Sequence, residues 1–218
     1  MTQQAGGRTG PHTLETALIR WEARFSVGEY LFGERPNAYL ASKTNLFAKG
    51  SRALSIADGE GRNSVWLAEQ GLRVDAFDFS PTAVAKAERL ALSRGVRVGF
   101  NVCETFAWSW EPSAYDLVAA IFIQFASPAV REKLFPLMQR TLKPGGLLIL
   151  QGYRAEQLQY GTGGPPELDH LYTEAMVREL LQDMDILELR CYEEPVDEGK
   201  GHSGMSALMG VVARKRQA

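Results

Sequence analysis

The chain has 218 residues, 45% of them hydrophobic and 23% charged, with a formal net charge of −2. That is the size and make-up of one globular α/β domain, and the near-neutral balance leaves no electrostatic footprint for nucleic acid. The absence of any run of about eighteen apolar residues argues against a membrane-spanning helix. Two cysteines give no disulfide scaffold and fit a reducing cytoplasm, and with three scattered histidines they give no metal-ligand spacing, so no metal is expected.

Residues 1–12 lack the apolar core of a signal peptide and read as a disordered tail. Leu14 to Phe25 (LETALIRWEARF) spaces its apolar residues helically. Gly28, Gly33 and Pro36 then turn the chain, and 37–49 predicts a second helix closed by Gly50. From residue 52 short β-rich runs alternate with helical stretches: RALSIA a strand, RNSVWLAEQG a helix ending on Gly71, RVDAFDF a strand. Ser80-Pro81 starts a helix with a cap and a first-turn proline, which runs to Arg94 and stops at Gly95, and VRVGFNV is a third strand. YDLVAAIF (115–122) is apolar throughout, as a central strand buried on both faces must be. Residues 128–142 predict a helix, Lys143-Pro144-Gly145-Gly146 a turn, and LLILQGY a fifth strand. A Gly/Pro-rich loop (QYGTGGPPELDH) and a helix from Thr173 to Leu181 precede two long strand candidates, DILELRCYEEPV and SALMGVVARK, joined by DEGKGHSG. Strand–helix alternation demands a parallel sheet with helices on both faces, and the final loop-joined pair adds one antiparallel member.

The stretch LSIADGEGRNS (54–64) carries the chemistry. In doubly wound sheets ligands bind beyond the carboxyl ends of the strands, and here a strand runs into a glycine turn that opens a helix. Asp78 ends the next strand, seventeen residues after Gly61, where a carboxylate can accept both ribose hydroxyls of an adenosine. A P-loop is excluded because no Gly-Lys-Ser/Thr follows. A dinucleotide turn would need a third glycine where Ser64 stands, and it would set a pyrophosphate beside Asp58 and Glu60. Like charges at ~4 Å repel by about 4 kcal/mol at an effective dielectric of about 20. S-Adenosylmethionine has a sulfonium, an ammonium and no phosphate, so both acids would attract it, while its carboxylate would need backbone N–H groups or Arg24.

These features together resemble a class I S-adenosylmethionine-dependent methyltransferase. ALSIADGEGRNSVWLAEQG, VDAFDFSPTAVAKAERLA, YDLVAAIF and LKPGGLLIL stand in that family's order and spacing. GEGRN (59–63), QLQYGTGGP (157–165), EGKGHSG (198–204) and the opening RWEARFSVGEYLFGERPNAYL resemble the bacterial tellurite-resistance-type methyltransferases most. The resemblance implies a Rossmann-like, doubly wound, mostly parallel seven-stranded sheet with an antiparallel last strand. It also implies a single domain over 13–218, with a helical cap (13–50) on a Rossmann-like core (51–218). It places Ala57, Asp58, Gly59 and Gly61 around the methionine half of the cofactor and Asp78 on the ribose, with Phe79 and Ser80 beside it. Val102 and Cys103 would flank the adenine, Ile121 would close the pocket, and Tyr30 and Gly33 would come from the cap. Ser55, Ala57, Val102 and Gln124 depart from residues common in the family: an acid, a glycine, an aspartate and a histidine.

Methyl transfer from a sulfonium is an in-line displacement, for which a protein supplies proximity, alignment and exclusion of water. A thiolate or a selenium or tellurium oxyanion needs little base assistance, whereas a hydroxyl or amine calls for a carboxylate or histidine. Candidate acceptor-side residues are Tyr30, Arg62, Gln124, Tyr153, Tyr160, His170 and His202. The catalytic assignments fall on His202, in a mobile glycine-rich loop, and on Tyr160 and Arg62. The function expected is a cytoplasmic methyltransferase, monomeric or a small homo-oligomer, acting on a small molecule such as a thiol or a tellurium or selenium oxyanion. Its alternatives are a cofactor-binding regulatory module without catalysis and a nicotinamide-dependent oxidoreductase.

Overall fold

The computed structural model describes residues 14–217; the tail expected over 1–12 lies outside the described residues. Strands β1 (Arg52–Ile56), β2 (Arg73–Asp78), β3 (Val98–Val102), β4 (Tyr115–Ile121), β5 (Leu142–Tyr153), β6 (Met184–Asp197) and β7 (Ser203–Lys215) form one sheet in the order β3-β2-β1-β4-β5-β7-β6. The first five are parallel. The last strand of the chain, β7, is inserted antiparallel between β5 and β6.

The sheet is covered on both sides because its strands are apolar at odd and even positions alike. Leu54, Ile56, Val118, Ala120, Leu148 and Leu150 join one core, with Leu134, Phe135 and Met138 of helix α5 (Pro128–Thr141) and Val177 of α6 (Glu174–Leu180). Their neighbours Ala53, Leu117, Ala119 and Ile149 join a second core, with Leu40 of α2 (Ala38–Ala41) and Leu67 of α3 (Arg62–Glu69). Strand order reverses between β1 and β4, so the crevice of the fold opens beyond Ile56 and Ile121.

Helix α4 (Pro81–Arg94) starts as its sequence says: the Ser80 hydroxyl accepts from Ala83 N at 3.0 Å, Pro81 opens the first turn, and Gly95 closes it at φ 67°. Helix α1 spans the expected Leu14–Phe25. The second predicted helix does not form as one piece. Asn37 caps α2, which ends after Ala41, and only a 3₁₀ turn over Thr44–Leu46 follows. The Ser42 and Thr44 hydroxyls donate back to the carbonyls of Tyr39 (2.7 Å) and Ala41 (2.6 Å), the local competition through which these residues end helices. Gly50 caps no helix; its N–H goes to Gly71 O at 2.9 Å.

Lys143-Pro144-Gly145-Gly146, read as a turn, is instead the irregular start of β5. There the register against β4 shifts between Tyr115 and Leu117, and Gly145 has φ 79°. Trp108 and Trp110 belong to the main core, where both pack on Phe77 with ring centroids at 5.0 and 6.0 Å.

Candidate functional site

Beyond β1 the chain takes positive φ at Ala57 (46°), Gly59 (61°) and Gly61 (90°), a path that turns it sharply into α3. Gly61 cannot carry a side chain: a Cβ there would meet Ala87 Cβ at 2.6 Å and Ala87 Cα at 2.8 Å, so α3 starts in direct contact with α4. Asp58 N–H donates to Phe77 O (3.0 Å), tying the turn to β2. The Asp58 carboxylate accepts from Ser55 Oγ (2.6 Å), Ser64 N (3.3 Å) and Ser64 Oγ. Ser55, which stands where the family often has an acid, is thus used to brace Asp58.

Asp78 comes from the adjacent strand end. Its oxygens accept from Gly59 N and Ser80 N, each at 2.9 Å. Its own carbonyl receives Cys103 N–H at 3.0 Å, and Val102 lies opposite it in the β2–β3 register. Burial pushes the Asp78 carboxyl up to about 6; the Asp58 charge adds to that, against the backbone N–H donors. Asp58 is likewise raised, by burial first, with Ser55, Ser64 and Arg62 opposing it. A carboxylate whose proton affinity is raised by a second one beside it makes a poor place for phosphate and a good one for a cation.

Glu60, read beside Asp58 as part of that attraction, is turned inward. It is buried, paired with Lys86 Nζ at 2.6 Å, and accepts Leu31 N–H at 2.7 Å. Its charge is therefore spent on holding the N-terminal segment against the turn. Lys86 also donates to Glu29 O (2.7 Å) and receives the Tyr30 hydroxyl on its own carbonyl (3.1 Å), so the Tyr30 side chain points down onto α4. Arg24 lies over the Trp21 ring at 4.3 Å.

Among the other expected cofactor residues, Val102 is 51% exposed and Ile121 8% exposed, offering apolar surface on either side of the β1 end. Cys103 is half-buried with its thiol raised by burial and by Asp78 and Glu104, which removes it as a nucleophile. Phe79 is half-buried, and Ser80 is buried with its hydroxyl donated to Glu22. Gly33 (φ 69°) stands away from the turn, backed onto the β6–β7 loop at Gly199.

The acceptor-side candidates divide. Arg62, the first residue of α3, is buried and pairs through Nη2 with Glu198 at 2.7 Å. Glu198 also accepts from Asn37 Nδ2 (3.0 Å) and Ala38 N (3.0 Å), fastening the β6–β7 loop onto the N-terminal segment. His202, expected in a mobile glycine-rich loop, is 8% exposed and enclosed by the rings of Phe122, Phe32 and Tyr153, with centroids at 4.2, 4.5 and 5.7 Å. Burial lowers it to about 3, assisted by the Arg62 and Arg24 charges, so the imidazole is neutral at physiological pH and a feeble base. Tyr160 is not brought to Arg62 and His202; its hydroxyl donates to Glu193 on β6 at 2.5 Å. Gln124 is a bracket: its Nε2 donates to Tyr153 O (2.9 Å) and its Oε1 accepts Tyr153 N–H (2.6 Å). His170 Nδ1 sits on Gln124 O at 2.8 Å. Glu198, Phe32 and Phe122 went unread in the sequence, since an acid among DEGKGH resembles a solvated linker and nothing local marks Phe122 for its φ of 54°.

Residues 53–146, which hold the turn, Asp78 and β4, match the family described as "Methyltransferase domain". Over that segment, which is less than half of the chain, the sequence is similar to methyltransferases. The chain is 27% identical over 128 residues to phosphoethanolamine N-methyltransferase 2 of Caenorhabditis elegans, a match covering 56% of the chain and 28% of the relative. It is 27% identical over 135 residues to an uncharacterized methyltransferase of Synechocystis, covering 62% of the chain and 60% of the relative. Among solved structures it superposes on TehB from Haemophilus influenzae with a TM-score of 0.68 at 16% identity, covering 83% of the chain and 62% of TehB. The chain thus spans less than two thirds of the length of these relatives, and the likeness to TehB is one of fold. Among the described residues no helix is long and apolar enough to cross a membrane.

Proposed function

We propose that this protein moves the methyl group of S-adenosylmethionine to a small-molecule acceptor that arrives as an anion, a thiolate or a selenium or tellurium oxyanion, in the cytoplasm. The observation that carries the cofactor half is the Asp58–Asp78 pair around a left-handed glycine turn. Asp78 keeps lone pairs beyond its two backbone donors to receive ribose hydroxyls, Val102 and Ile121 give the adenine apolar walls, and Gly59 leaves the turn without a side chain. In the same reading residues 13–50 are a cap on a core of 51–218. When bound, S-adenosylmethionine supplies an electrophilic methyl group. The residues of this chain hold that group in line and exclude water through the ring cluster of Phe32, Phe122 and His202.

The anionic form of the acceptor follows from the site's chemistry. The His202 imidazole is held neutral with a conjugate acid near 3, so it cannot usefully take a proton from an amine or alcohol. An acceptor already deprotonated, and soft, needs no such help. The test is calorimetric titration with S-adenosylmethionine and NADH, followed by an acceptor screen reading S-adenosylhomocysteine release. Micromolar cofactor binding with turnover on thiols or selenite supports the reading. Cofactor binding without release on any acceptor would make the protein a regulatory module, and NADH binding alone would make it an oxidoreductase.

Two further outcomes test Asp78. Asp78→Ala removes acceptors for two hydroxyl donors and should weaken cofactor binding about 100-fold; unchanged affinity would reduce Asp78 to a helix-end brace. Its titration supplies the second. A carboxyl raised from 3.8 to about 6 in the folded state contributes most stability where it is protonated, below about pH 4, and that contribution is lost as pH rises through 6. Ribose hydroxyls favour the charged form, so cofactor affinity should run the other way. It should be about tenfold weaker at pH 5 than at pH 7, with a plateau above. A flat titration series between those values would separate Asp78 from the ribose.

A further inference from the structure

We propose that Arg62 Nη1 and the Tyr153 hydroxyl form an anion-binding subsite for the acceptor, roofed by the β6–β7 loop. The proposal rests on the methyl-transfer reading and adds the atoms that select the substrate's charge. Five buried side-chain polar atoms among the described residues have no hydrogen-bond partner, and three of them fall in one cluster: Arg62 Nη1, Tyr153 Oη and His202 Nδ1. The residues carrying them are 6%, 1% and 8% exposed. Buried polar atoms are almost always satisfied, and three unsatisfied ones together mark a missing partner. The other two, Trp108 Nε1 and the Tyr172 hydroxyl, belong to the core under α5.

What that partner is follows from charge and space. Glu198 engages Arg62 through Nη2 and stands 4.0 Å from His202 Nδ1, beyond hydrogen-bond reach, so Nη1 is left with protons to donate. Arg62 and Arg24 both depress His202, while the Tyr153 hydroxyl feels the Glu198 charge ahead of that of Arg62. A neutral imidazole and a hydroxyl complete a donor set for oxygen or sulfur anions. By hydrogen-bond geometry the Tyr153 hydroxyl has no partner, although Ser206 lies close enough to oppose the upward push of burial on it. Gly163 packs closely on that hydroxyl, where a Cβ would come within 2.7 Å of it. Arg62 directly follows Gly61, so the subsite is carried on the same chain segment as the turn assigned to the cofactor.

The probes are selenite, sulfite and mercaptoacetate, with uncharged 2-mercaptoethanol as reference, titrated calorimetrically into the full chain with and without saturating S-adenosylhomocysteine. At least one anion should bind tenfold or more tightly than 2-mercaptoethanol. That binding should weaken about tenfold in Tyr153→Phe, which removes only an unpartnered hydroxyl. It should vanish in Arg62→Met with Glu198→Met, a pair chosen so that no lone buried charge is left; thermal melts confirm that both variants fold. If the anions bind no better than the neutral thiol, or if both variants bind them as the parent does, the proposal falls and the three atoms are served by buried water. S-Adenosylhomocysteine binding in the parent without anion binding removes the subsite and leaves the methyl-transfer reading. Anion binding lost in the variants, with no cofactor binding in the parent, does the reverse.

Discussion

Gly61→Ala is expected to abolish cofactor binding and to lower the unfolding free energy by about 2–5 kcal/mol. The left-handed backbone at φ 90° costs an L-residue about 1–2 kcal/mol. The added methyl group would also enter space occupied by Ala87 Cβ and Cα, an overpacking that costs about 1–3 kcal/mol. Because Ala87 is on α4 and Gly61 opens α3, relief requires the two helices to part, which moves Asp58 and Gly59 relative to Asp78. Denaturant unfolding and calorimetric titration check the two halves separately. A variant with parental stability and parental affinity would show that the close approach of α3 to α4 does not set the turn.

Lys86→Met is the second large effect, with a loss of about 3–5 kcal/mol. Both partners of the Glu60–Lys86 pair are almost wholly buried, their side chains 2% and 5% exposed, so removing the ammonium strands a carboxylate in the interior. Adding Glu60→Gln should restore most of the loss, because glutamine keeps an oxygen for Leu31 N–H while shedding the charge. If Lys86→Met costs less than about 1 kcal/mol, Glu60 is solvated and free to face a ligand, and the inward assignment made from its contacts is wrong.

Glu60 also shows where sequence reading runs out. That a glycine turn, an acid at the next strand end and alternating strands make a doubly wound sheet was legible, because each is a local backbone requirement: positive φ at Gly59 and Gly61, a cap at Ser80, apolar residues on both faces of β4. Which way an acid points depends on what packs against it. Lys86 lies twenty-six positions away on another helix, and Leu31 reaches Glu60 from a segment before the sheet begins. His202 is the same case. Its glycine neighbours suggest an exposed loop, but those glycines exist so that the loop can press on the N-terminal segment: a Cβ at Gly199 would meet Gly33 N at 2.5 Å. The split helix after Asn37 was missed for a different reason, a local one, since Ser42 and Thr44 carry the hydroxyls that end it.

The placement of β7 gives the molecule an order of assembly. β6 has β7 as its sheet neighbour, and β7 follows it in the chain. While the chain is being synthesised, β1 to β5 can pair with one another, but β6 has no edge to join until residues 203–215 have followed it. The loop between them brings Glu198 to Arg62 and His202 to Phe32 and Phe122, so that wall of the proposed site closes only once β7 has been made. A nascent chain can therefore acquire the glycine turn and Asp78 well before it acquires the enclosure proposed for the acceptor. In the proposed reading, the part that would hold the methyl donor is made ahead of the part that would receive the acceptor.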